Sequence, residues 1–548
     1  MQRPDASSES DARTVSGLLR ARAQEQGDRA FCAVDDSRYT FGEITARAEQ
    51  VAAGFAGVGV QKGDRVAMLT PNRPEMLELF FGLARLGAIQ VPLNAFLKGA
   101  FLEHQLMDSA SSVIVVDADG LEAVRPLLGK LDELRLIVVL DGEADSAASV
   151  EQIGYPDLIS KGGSAPAVEV GPADTMSIVY TSGTTGLPKG CVLSNAYYLR
   201  SGRVAAGALG VTSADALYSS LPLFHCGARM LVLTAALVRG IPVTIDTHFS
   251  ARRFLPRARE VGATVVVGIG AMGKALLGAP ATDSDTDHRI HTMMIAPMEP
   301  EVQEAFKERF GIEPWTEIYG QTECVPMCVA PRDGERDRAG MGFPAPDLEL
   351  TLRDNAGDEV SDGTPGEIWV KPREPFTMFD GYWDGKDGPS DVFVDGWFRT
   401  GDLARRLPSG QFQFADRKKD AMRRRGENVS SIELEASILS HPAVVDVAVH
   451  AVPSPQSEDD IKACVVLADG ASVEPRDLFD HFRDNIPFFA MPRYVEILDA
   501  LPKNAVGRVM KHVLKDRNTV GDVWDFDQLG LSVAAQDRRK TSQRTTVG

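Results

Sequence analysis

At 548 residues the chain is too long for a single hydrophobic core, so two or more domains are expected. Apolar residues at 44% and charged residues at 25% are ordinary for a globular protein. A net charge of -19 leaves no broad basic face, which excludes a general nucleic-acid binder but not local phosphate sites.

The stretch from Met1 to Thr14 is polar and has no apolar core of signal-peptide length, and no later run is long and apolar enough for a transmembrane segment. A cytoplasmic location is therefore expected. The six scattered cysteines fit a reduced protein, and the close pair Cys324 and Cys328 lacks a second ligand pair for zinc.

From about Arg13 to Pro344, apolar runs alternate with amphipathic segments. The runs 66–69, 113–116, 137–140 and 264–267 read as buried strands, and 75–85 reads as a helix. This is an α/β pattern with largely parallel sheets. From Leu348 to Phe414, short strands between Gly- and Asp-rich turns indicate a small β-rich subdomain. The charge run Asp416 to Asp420 then reads as a linker. Beyond it, a helix at 431–440 and strands at 444–452, 463–467 and 494–498 form a second, α+β domain. The end of the chain, Arg-, Ser- and Thr-rich without periodicity, reads as disordered.

The segment Tyr180 to Gly190 follows a strand and concentrates phosphate-binding residue types. Gly183 and Gly186 let backbone N–H groups approach an anion; Thr181, Ser182, Thr184 and Thr185 donate further bonds; Lys189 adds charge. It lacks the Gly-Lys-Ser/Thr ending of a Walker loop. Gly268, Gly270 and Gly273 fit a dinucleotide-binding G-x-G-x-x-G after a strand, but that pattern alone is weak.

The Tyr180–Gly190 loop resembles the phosphate loop of the adenylate-forming superfamily, which includes acyl-CoA synthetases. Further matching segments follow in order: Leu221 to His225, Tyr319 to Glu323, Gly396 to Asp402, Arg417 with Lys419, and Gly426 to Glu435. The resemblance spans roughly Val15 to Lys515. It implies an α/β fold: a large N-terminal domain (1–416) of two mostly parallel sheets flanked by helices, with a small β-barrel subdomain (348–416). A small mobile α+β C-terminal domain (417–530) follows, then a disordered tail (531–548).

It further implies the site residues. His225, Thr322, Glu323, Arg417 and Arg508 take the catalytic positions, with Glu323 as the ligand of Mg²⁺, for which its hard oxygens are suited. Thr181 to Gly186, Lys189, Ala296, Pro297, Glu317, Ile318, Tyr319, Gly320, Gln321, Thr322, Asp402 and Arg417 bind the nucleotide. Asp402 offers two acceptor oxygens to the ribose hydroxyls. His225, Gly268, Gly270, Ala271, Met294 and Ile295 line the acyl pocket, and the small residues there predict a wide one suited to a bulky acid. Lys419 is the hinge. Arg423, Arg424, Arg425, Gly426 and Glu427 meet coenzyme A, although a solvated basic face explains the three arginines equally well.

Three positions depart from the family pattern. Arg508 replaces a lysine that reaches the substrate carboxylate and the α-phosphate during adenylation. A guanidinium is a planar fork, not a compact ammonium, so the exchange is not conservative. Met294 to Pro297 replaces a Gly-Gly-Ala-Pro segment, and Asp416 replaces the glycine before the hinge arginine.

The reaction implied is formation of an acyl-CoA from a carboxylic acid through an acyl-adenylate, with ATP or acyl-adenylate, Mg²⁺ and coenzyme A as cofactors. Two enzymatic versions stand. Either Arg508 does the work of the lysine in a complete two-step synthetase, or the protein performs only thioester formation on an acyl-adenylate made by a partner enzyme. A carrier-protein phosphopantetheine as acceptor, a non-catalytic nucleotide-binding homologue and a homodimer remain open.

Overall fold

The computed structural model describes residues 13–539 except 143, 146–147, 162, 182–186, 331, 333, 335–336, 384–388, 391, 418–421, 426, 455–457, 503–508, 518–521 and 535–536. Among the described residues a nine-stranded sheet forms the centre of the large domain. Thr175–Thr181 and, at the far edge, Glu151–Gly154 run parallel to the inner strands Ile89–Leu93, Arg65–Leu69, Val113–Val116 and Leu136–Val139. Their continuous apolar sequences follow from burial on both faces by helices such as Pro74–Leu86. A seven-stranded sheet, again parallel except at Ala30–Val34 with Ser37–Thr40, carries Leu217–Ser219, Val265–Ile269 and Thr292–Ala296.

The β-rich stretch is an antiparallel four-stranded sheet of Leu348–Arg353, Gly366–Pro372, Phe398–Arg406 and Phe412–Arg417. Its last strand ends at Arg417, and the expected hinge Lys419 lies just outside the described residues. The small domain begins with the hairpin Met422–Arg424/Glu427–Val429 and the helix Ser431–Leu439. That helix packs on a four-stranded sheet built from Val444–Pro453, Asp459–Leu467, Tyr494–Ile497 and Val523–Asp525.

The two domains are in contact. The helix Gly99–Ser109 of the large domain meets the helix Ser431–Leu439, and Phe96 meets Phe488 edge-on at 4.6 Å. An apolar cluster runs from Phe101 and Leu102 into Leu434 and Phe489. The expectation of a disordered tail fails at Arg539. Its guanidinium holds Asp117 of the large domain with both terminal nitrogens, one at 2.7 Å, and also reaches the Ala95 carbonyl. All six cysteines are free, and among the described residues no helix is long and apolar enough to cross a membrane.

Candidate active site

The strands Thr175–Thr181 and Lys189–Ser194 are antiparallel neighbours, with Thr181 opposite Lys189. The segment expected to be the phosphate loop therefore links two antiparallel neighbours of the central sheet. Ser182, Gly183, Thr184, Thr185 and Gly186 lie outside the described residues. Lys189 places its ammonium 5.0 Å from the centre of the Tyr382 ring.

Tyr382 also donates its hydroxyl to Glu323 Oε1 at 2.7 Å. Glu323 and Thr322 occupy the tight turn between Ile318–Gln321 and Cys324–Val329, where Gln321 pairs with Cys324. The register shifts between Tyr319 and Gln321, and Gly320 fits there because a Cβ would lie 2.8 Å from the Cys324 carbonyl. Tyr197 pins this turn, donating to the Thr322 carbonyl at 3.2 Å and accepting from Val325 N at 2.6 Å. Burial pushes the Glu323 carboxyl above the usual carboxylate range, the Tyr382 bond pulls it back, and the charge of Asp402 pushes it up again. A buried carboxyl of this kind gains from a cation.

Asp402 lies on the strand Phe398–Arg406, opposite Arg417, and is 2% exposed. Its Oδ2 accepts from the Tyr319 hydroxyl and from Gln321 Nε2, both at 2.7 Å. Three residues expected at the nucleotide, two from one sheet and one from another, are thereby joined. Glu317, fully buried, accepts from the Thr316 N–H at 3.0 Å.

His225 closes a loop after the strand Leu217–Ser219. The buried Asn72 shapes that loop, donating to the Leu221 carbonyl at 2.9 Å and accepting from Leu223 N at 2.6 Å. Nε2 of His225 lies 2.9 Å from Oε1 of Glu427 in the small domain. Burial pulls the imidazole down, but the Glu427 charge and hydrogen bond outweigh it and hold the group above the usual histidine value. Glu427 stands opposite Arg424 in its hairpin, and the turn passes through Arg425 at φ 56°, in the left-handed region. Beside this pair lies a solvent-open channel between the domains, with about 70 Å³ of cavity volume, lined by Asn94, Phe101, Gln105, Thr181, Glu433 and Phe489 among others.

Two expectations need correction. The glycine run does not open a wide pocket: a Cβ on Gly270 would fall 1.8 Å from the Pro297 carbonyl, and one on Gly273 would meet Met298 at 2.3 Å and Ile295 at 3.0 Å. These glycines let the helix Gly270–Gly278 close onto the strand Thr292–Ala296, and Met272 covers Gly268. Arg424 does not face a coenzyme: it is 9% exposed, donates to the Met491 carbonyl and pairs with Asp460 at 3.2 Å. Its alternate position on the hairpin turns it into the small domain, whereas Arg423 is partly exposed, 4.0 Å from Glu458, and Arg425 lies over Phe488 at 5.3 Å. Gly426 and Arg508 lie outside the described residues. Tyr382, Tyr197 and Asn72 were missed from sequence because none sits in a recognisable motif; a buried Asn beside Pro71 and Arg73 was the only trace.

The family profile described as AMP-binding enzyme matches residues 19–383, and that of the AMP-binding enzyme C-terminal domain matches residues 433–508. A crotonobetaine/carnitine–CoA ligase of Salmonella arizonae is 31% identical over 494 residues, covering 88% of this chain and 94% of the relative. Among solved structures, o-succinylbenzoate CoA synthetase from Bacillus subtilis, a double mutant bound with its product analogue OSB-NCoA, matches with a TM-score of 0.78 at 26% identity, covering 91% of this chain and 98% of that one. The same synthetase in complex with AMP matches with a TM-score of 0.63 at 25% identity, again covering 91% and 98%. Matched along well over half its length, the chain belongs to the AMP-binding enzymes, the adenylate-forming superfamily that includes the acyl-CoA ligases.

Proposed function

We propose that this protein forms acyl-CoA thioesters from acyl-adenylates, with the thioester step fully provided for and adenylation weakened by Arg508. The observation that carries the reading is the His225–Glu427 bond, which joins the acyl end of the large domain to the small domain across the interdomain channel. The better overlay on the product-analogue complex of the Bacillus subtilis synthetase than on its AMP complex supports the same orientation.

In this reading Asp402 holds the ribose, and the strand bearing Thr181 and Lys189 presents the phosphate loop. Glu323 would hold Mg²⁺, which supplies charge stabilisation to the phosphates when bound. His225 and Glu427 close the reacting centre from water, and the thiol enters along the channel. Thioester formation breaks the acyl–phosphate bond: the sulfur takes the acyl group, AMP leaves, and the thiol proton is released. The family lysine position is needed for adenylation alone, so Arg508 leaves this step intact.

Pyrophosphate exchange tests the division. Weak exchange with ATP and an acid in the wild type, raised at least tenfold by Arg508→Lys, is the expected result. Robust wild-type exchange that falls on Arg508→Lys would make Arg508 a working replacement and return the protein to the complete two-step class.

A further inference from the structure

The last described residues of the chain cross from the small domain to the large one. Beyond the strand Val523–Asp525, Phe526 is buried, and Leu531 donates its N–H to the Phe526 carbonyl at 2.8 Å, which keeps the chain on the small domain. Arg538 then lies over Phe488 at 4.9 Å, the ring that meets Phe96 edge-on. The next residue reaches the other domain. Arg539 donates to both carboxylate oxygens of Asp117, through Nη1 to Oδ2 and through Nη2 to Oδ1 at 2.7 Å, and its Nε donates to the Ala95 carbonyl at 3.0 Å. The two side chains of this pair are only 14% and 9% exposed. Among the described residues no other cation pairs with Asp117, whose Oδ1 also caps the helix Ala118–Val124 through Gly120 N at 2.9 Å. Arg539 lies well beyond residues 433–508, the part of the small domain that the family profile matches.

A guanidinium bound to a carboxylate through two parallel bonds is specific in geometry as well as strong, and little water reaches this pair to screen it. Its acceptors are fixed. Asp117 directly follows the strand Val113–Val116, and Ala95 closely follows Ile89–Leu93, both in the central sheet. A side chain carried by the small domain reaches them only while that domain is docked as it is here. Resting on the acyl-CoA reading above, we propose that the C-terminal segment is a latch: Arg539 seats on Asp117 and the Ala95 carbonyl to hold the small domain in the orientation that forms the thioester, against the one that adenylates the acid. Swinging the domain away removes all three bonds of Arg539 and leaves Asp117 without its cation, so opening is opposed. The latch therefore acts in the same direction as Arg508. Arg539 works through the placement of the small domain and is a positioning residue.

The test uses the full chain and two readouts. Spin labels on cysteines introduced at the exposed positions Glu25 and Val445, one in each domain, report the docked and swung populations by their separation. Arg539→Ala is expected to lower the docked-to-swung ratio about fivefold or more, and Arg539→Lys, whose ammonium is not a planar fork, to lie between. Asp117→Asn keeps an oxygen for Gly120 N, removes the charge and is expected to match Arg539→Ala; the double variant is expected to go no further than either single one. The second readout compares the half-reactions. Arg539→Ala is expected to slow single-turnover thioester formation from a supplied acyl-adenylate and, placed on Arg508→Lys, to raise pyrophosphate exchange. Opposite signs mark a latch, because a merely structural loss lowers both rates together. Unchanged label separations in Arg539→Ala and Asp117→Asn overturn the proposal, and so do two half-reactions that fall together. No thioester from any acyl-adenylate in the wild type overturns the acyl-CoA reading instead, and the label separations then still decide whether Arg539 holds the domains together.

Discussion

In the proposed reading, the nucleotide side and the coenzyme side of the site are built differently. On the nucleotide side, Asp402, Tyr319 and Gln321 already bond one another, Glu323 is held by Tyr382, and the turn at Thr322 is pinned by Tyr197. All of these groups belong to the large domain, so this hydrogen-bond network needs no residue of the small domain. On the coenzyme side, His225 meets Glu427, and Asn94 faces the same channel as Glu433, across a boundary between domains. That half is assembled only on docking.

The largest expected break is on the preassembled side. Asp402→Ala removes the acceptor for two ribose hydroxyls. Charged hydrogen bonds contribute about 1.5–3 kcal/mol each, so affinity for an acyl-adenylate analogue is expected to fall more than about a hundredfold. Unchanged affinity in a direct titration would remove Asp402 from the nucleotide site.

Arg424→Ala gives the next effect, on folding. It leaves Asp460 with one guanidinium fewer in a buried setting, which costs about 3 kcal/mol. Calorimetry is expected to show the small domain melting earlier. Arg423→Ala, at a partly exposed position, is expected to leave the transition nearly unmoved. The reverse order would put Arg424 back on a ligand-facing surface.

The smallest effect concerns the docked pair. Glu427 raises the His225 pKa in the docked state, so the ion pair stabilises docking fully below the ordinary histidine value and is lost as pH rises through the raised one. Glu427→Gln is expected to lower the His225 titration midpoint followed by NMR. An unchanged midpoint would mean that the domains do not dock in this way in solution.

Much of this was legible in sequence. Buried parallel strands announce themselves as unbroken apolar runs, and 113–116 and 137–140 reappear as strands almost to the residue. The ordered motifs named Asp402 and the Tyr319–Glu323 segment, and hydrogen bonds from Tyr319 and Gln321 to Asp402 join the two. What escaped depends on tertiary packing. Gly270 and Gly273 are small because a neighbouring backbone and Met298 fill the space beside them, which composition cannot distinguish from an open pocket. Arg424 sits in a basic run, yet hairpin alternation turns it inward to Asp460, a partner far along the chain. Tyr382 reaches Glu323 from a strand that pairs with Cys191, a neighbour set only by the sheet order.

The central claim is that thioester formation is intact and adenylation is not. The most direct measurement supplies a panel of carboxylic acids with ATP and Mg²⁺, and in parallel the matching acyl-adenylates without ATP, each with coenzyme A, and follows the thioester by mass spectrometry. The account predicts thioester from at least one acyl-adenylate at a rate at least about tenfold above that from the same acid with ATP. Equal or faster formation from the acid with ATP would contradict it.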